Sequence, residues 1–133
     1  MGFIRIIHPK HYDPDTNRLR SLAFKPSSDG GISVIGRECI EQTGSSVCGH
    51  IAKFYASVLG DPPIFWEIPE TVLPPNCQFI QDPSDTGDDC HHNLIGLTDR
   101  ESRRIIKQVQ LDEMSICAEN EQHRPLAESD LQI

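Results

Sequence analysis

Apolar residues in this chain come in short β-branched runs that proline and glycine cut off before any reaches helical length. "FIRIIH" (Phe3–His8), "ISVIG" (Ile32–Gly36), "IFWEI" (Ile64–Ile68) and "CQFI" (Cys77–Ile80) each read as a strand. The ten prolines and nine glycines supply turns between them. Long helical bundles are thereby disfavoured, and a sheet becomes the organising element.

Weaker runs fill in the rest. "LRSLAF" (Leu19–Phe24) is a candidate second strand, "KPSSDGG" a turn, and "TVL" (Thr71–Leu73) and "NLIGL" (Asn93–Leu97) short extended pieces. Two stretches change period. Val47, Ile51, Phe54, Tyr55 and Val58 fall at helical spacing behind Ser45 or Ser46 as a cap, with Gly60-Asp61-Pro62-Pro63 as a stop. Thr98-Asp-Arg-Glu101 is a capping box opening a helix with Ile105, Ile106 and Val109 inward. The expected fold class is α+β: a single small domain with a mainly antiparallel sheet of about five to six short strands and two helices. It spans residues 1–111. Residues 112–133 hold six acids against Arg124 alone and read as an acidic C-terminal tail, flexible or ordered by a partner.

Charge narrows the partners. With 12 Lys+Arg against 20 Asp+Glu the net charge is −8, which offers no general attraction to phosphate backbones and disfavours nucleic acid. The opening apolar run is too short and too broken by Arg5 for a signal peptide or a membrane span, so the chain reads as cytoplasmic, without a membrane partner. In that compartment its five cysteines are expected to be free thiols.

No paired-ligand motif of the C-x-x-C or H-x-x-x-H kind occurs, so neither a metal nor a cofactor is expected. The best zinc set, Cys77 with Cys90 and His92, competes with a plainer reading of "DDCHHNLIG" (Asp88–Gly96) as a solvated loop with one buried thiol. There is no G-x-S-x-G elbow and no phosphate-binding loop with the right lysine. The sharper candidate is Arg5, which interrupts an apolar strand and needs a partner or an open face. A pocket of Arg5, His8, Ser21 and one of His91 and His92 would clamp an anion and move a proton. Alternation through "HHNLIG" favours His92 as the pocket-facing ring.

The order "RIIHP…SLAF…ISV…HNLIG…RRI" resembles a family of small bacterial proteins for which no activity is established. The resemblance marks Arg5, Pro9, Ser21, Ala23, Phe24, Ser33, Val34, His92 and Gly96, with the matching histidine either His91 or His92. Two functions are then expected. The first is a small interaction or accessory protein, an adaptor or immunity-type partner that binds another protein. The second is a small enzyme of ADP-ribosyltransferase-like type acting on an anionic or nucleotide-type substrate. It would use Arg5, Ser21 and a histidine, with Glu67 or Glu70 as its acid and a small-molecule ligand in the pocket.

Overall fold

A computed structural model describes residues 2–13, 15, 18–26, 31–56, 63–82, 87–117, 122–127 and 130. The strands are β1 (Phe3–Ile7), β2 (Tyr12–Asp13), β3 (Arg18–Leu19), β4 (Ile32–Gly36), β5 (Ile64–Ile68), β6 (Gln78–Gln81), β7 (His91–Ile95), β8 (Met114–Cys117) and β9 (His123–Pro125). The helices are α1 (Arg37–Gln42), α2 (Val47–Tyr55) and α3 (Asp99–Lys107). Seven strands form one sheet in the order β6-β7-β4-β1-β5-β8-β9, every pairing antiparallel, and β2 and β3 form a separate hairpin. The fold is α+β, as expected, with one more helix and a wider sheet than the sequence suggests.

Both faces of the central strands are covered, which explains why their sequences are apolar throughout rather than alternating. Phe3, Ile7, Val34, Trp66, Ile68 and Leu94 point to one face, where Ala23, Phe24, Ile105 and Ile106 close the larger core. Ile4, Ile35 and Phe65 point to the other, under Ile40, Val47 and Ile51 of α1 and α2. Ser46 caps α2 through Gly49, and Thr98 and Glu101 form the reciprocal capping box of α3. Ile105, Ile106 and Val109 are buried as their spacing requires. Val58, the helix stop at Gly60-Asp61-Pro62 and the middle of "KPSSDGG" lie outside the described residues.

Three expectations are corrected. Only Arg18–Leu19 of the "LRSLAF" region is strand; Ser21–Phe24 is a 3-10 turn. Ala23 and Phe24 are both fully buried, which a turn pressed on a core allows and an alternating strand does not. "TVL" likewise falls largely in a 3-10 turn over Glu70–Val72. The division at 111/112 does not coincide with an edge of the sheet. β8 pairs with β5, Met114 and Cys117 are buried, and Leu126 reaches the larger core.

The cysteines are the third correction. They are not five free thiols: Cys39 is bonded to Cys90 and Cys48 to Cys117, leaving Cys77 as the free one. The fold brings the paired Cα atoms to 5.4 and 5.7 Å, within bridging range. Spacing along the chain, 51 and 69 residues, gave no sign of it. On a chain-entropy estimate, closing loops of that length stabilises the fold by about 4 kcal/mol each. Among the described residues no helix is long and apolar enough to cross a membrane.

Candidate functional site

Polar side chains gather in four groups on and around the strands. On β1, Arg5 lies opposite Trp66, on the face of Phe3 and Ile7. Its Nε donates to the Ala23 carbonyl at 3.0 Å and its Nη1 to the Ser33 carbonyl at 2.9 Å. Burial lowers its pKa. Beyond the strand, the His8 Nδ1 accepts from the Lys10 amide at 3.1 Å, and the rings of His8 and His11 meet edge to face at 5.9 Å. Burial, then the positive charges of Arg5, His8 and Lys10, lower the His11 pKa to about 4. The His11 Nδ1 is buried with no hydrogen-bond partner among the described residues. His11 thus joins Arg5 and His8, although sequence reasoning did not place it there. Ser21, at the start of the 3-10 turn, is exposed.

The β7 histidines go elsewhere. His91 is buried, and its Nδ1 donates to the Asp82 carbonyl at 2.5 Å, since a carbonyl only accepts. Its Nε2 is hydrogen-bonded to the Ser33 hydroxyl, and accepts from it whenever the ring carries a single proton, on Nδ1. Asn93 Nδ2 donates to Asp82 Oδ2 at 2.7 Å, tying the same hairpin. Ser33 is exposed, so a hydroxyl, a base and an orienting carbonyl stand in line on the β4–β7 pair.

His92 faces the other way. Its Nδ1 donates to the Cys90 carbonyl at 2.9 Å and its ring sits edge-on to Phe3 at 5.1 Å. It lines an open cleft of about 250 Å³ together with Phe3, Gly36, Cys39, Gln42 and Gln81. β4 lies between the strands that carry Arg5 and His92, and neither Arg5 nor His8 lines this cleft. Four of the five predicted residues therefore fall into three places, Arg5 with His8, His91 with Ser33, and His92 in the cleft, while Ser21 is exposed on the turn whose Ala23 carbonyl Arg5 holds. Of the two acids considered with them, Glu67 is bonded to Arg37 at 2.6 Å and Glu70 is exposed at a turn.

The fourth group was missed. Behind Cys39, Asp88 is wholly buried in the β6–β7 connection. It accepts from the Cys90 amide at 2.8 Å, from the Tyr55 hydroxyl and from His50 Nε2 at 2.9 Å. Burial pushes the Asp88 carboxyl up, but the hydrogen bonds from Tyr55, the Cys90 amide and His50 outweigh it and hold the pKa below the ordinary value. His50 Nε2, an Asp88 oxygen and Cys90 Sγ all lie within 4.8 Å of one another. His50 sits on α2, 38 residues before Asp88, so no local motif marks the pair. The one usable signal was an unexplained histidine on the buried side of a helix. Comparison with protein-family models, with curated proteins and with solved structures finds no match.

Proposed function

We propose that this is a small interaction protein that takes an extended segment of a partner protein along β6. The observation that carries this reading is Ile80. It is 46% exposed, the large apolar side chain left in water among the described residues, and it stands on an edge strand. Among the described residues β6 pairs only with β7, so its outer edge offers backbone donors and acceptors for strand addition. Ile80 lies beside Asn93, and Asn93 beside Ser33, so a partner's side chains would meet a mixed apolar and polar strip. The net charge of −8 favours a partner with a basic surface. Nucleic acid and a membrane surface have no support of this kind. A cytoplasmic setting has weaker support than an oxidising one, because disulfides in the cytosol are mostly transient or redox-responsive.

Two observations bear on the enzyme alternative. Arg5, the proposed anion clamp, already donates to two carbonyls, and His92 lies two strands away in a cleft that Arg5 does not line. The Ser33–His91 pair favours a different enzyme, one with a serine nucleophile, but neither residue lines the cleft that holds His92. The interaction reading is tested with a photo-crosslinking residue at position 80 and, as control, at the exposed Arg103 of α3. A partner crosslinked from 80, not from 103, and lost when Gln78 is replaced by proline is the expected result. Equal crosslinking from both positions counts against the edge as the docking surface.

A further inference from the structure

We propose that the Cys39–Cys90 disulfide masks a zinc site: on reduction, Cys90 and Cys39 bind Zn²⁺ together with His50 and Asp88. This does not rest on the docking reading. The ligand set is thiolate, imidazole and carboxylate, the mix zinc takes in tetrahedral sites. His50 Nε2, an Asp88 oxygen and Cys90 Sγ already lie within 4.8 Å of one another. Donors around a tetrahedral zinc stand about 3.3–3.8 Å apart, given bonds of about 2.0–2.3 Å. The His50–Asp88 contact of 2.9 Å therefore has to open by only about half an ångström. Burial of His50 and Asp88, at 3% and 0% exposure, keeps water from competing for the ion.

The disulfide is the lock. While Cys90 is bonded to Cys39 it has no thiolate to give, so the oxidised protein lacks its sulfur ligands. Access differs between the two disulfides. Cys39 is half-buried and lines the open cleft, whereas Cys48 and Cys117 are 4% and 7% exposed. A dithiol reductant entering the cleft attacks Cys39 Sγ, and Cys90 departs as a thiolate. The reductant's second thiol then displaces Cys39 and closes the reductant into a cyclic disulfide. Two electrons pass to the protein and leave two cysteine thiols. Binding Zn²⁺ to both thiolates releases their two protons, and the His50 ring changes tautomer, its Nε2 proton moving to Nδ1, so that Nε2 presents a lone pair to the ion. Cys39, whose sulfur lies outside the 4.8 Å group, parts from Cys90 and swings in from the cleft side toward His50 and Asp88 to complete the four ligands.

The test uses the full chain, with Zn²⁺ as the probe, in the presence or absence of dithiothreitol, read by native mass spectrometry. One zinc per chain after reduction, none before, and loss of the metal on reoxidation are expected. Alkylation of the reduced chain should find Cys39 and Cys90 protected by zinc, with Cys77 fully reactive. His50→Gln should weaken zinc binding at least tenfold, while Cys77→Ser leaves it unchanged. Zinc bound equally with the disulfide intact, no zinc after reduction (including a reduced chain that unfolds and is not restored by the metal), or protection of Cys48 and Cys117 instead would overturn the proposal. If His50→Gln fails to fold, the alkylation pattern of the unsubstituted chain still decides.

Discussion

Asp88 concentrates the energetics of this molecule at the scale of one residue. A carboxylate with no exposure is tolerable only because donors converge on it, and it holds the start of β7 against α2. Asp88→Asn keeps the shape and removes the charge-assisted bonds, and we expect a loss of about 2–4 kcal/mol in urea unfolding. Because its pKa is lowered on folding, Asp88 contributes stability above its unfolded value, lost as pH falls through its folded pKa. His11 acts in a higher window. Its folded pKa is about 4 against 6.5, so between these values the unfolded chain binds more protons, and stability should fall as pH drops from 6.5 to 4. Titration by NMR should show one histidine with a midpoint near 4; a midpoint near 6.5 for every ring would contradict its burial. The sequence made "DDCHH" conspicuous, but its residues diverge once folded. Asp88 turns to a histidine on another element, and His91 and His92 take opposite faces of a strand.

Among elements, the legible ones are those whose signal is local. β4 and β5 coincide with their apolar runs, and the α3 capping box was complete in four residues. Thr98→Ala should cost about 1 kcal/mol, read by thermal unfolding. β8 was hidden because "MSIC" is four residues within an acidic segment, and composition averaged over the segment outweighs it. Its strand character comes from pairing with β5 and from the bond between Cys117 and Cys48, neither visible locally. Truncation therefore discriminates. Ending the chain after Cys117 removes β9 and the buried Leu126 and should cost about 2–3 kcal/mol, chiefly from the leucine. Ending it after Leu111 removes β8 and a disulfide as well, and should abolish cooperative unfolding. Equal melting temperatures for the two truncations and the whole chain would restore the view of 112–133 as a detachable tail.

At the scale of the whole molecule, the sheet is covered by helices on both faces, cross-linked twice on one of them, and open at the β6 edge. Alkylation in denaturant without reductant should modify Cys77 alone. The side chains that look most like chemistry are spent on holding this arrangement together: Arg5 on carbonyls, His50 on Asp88, His91 between Ser33 and the β6–β7 connection. What the molecule then offers outward is an edge, which is why we read it as a binding protein. Ser33 is the residue on which that reading is most exposed, because its hydroxyl is both accessible and paired with a base. The direct measurement is the intact mass of the native protein after exposure to a serine-reactive fluorophosphonate. An interaction protein should keep its mass unchanged; an adduct localised to Ser33, and lost in both Ser33→Ala and His91→Ala, would contradict the account and identify an enzyme.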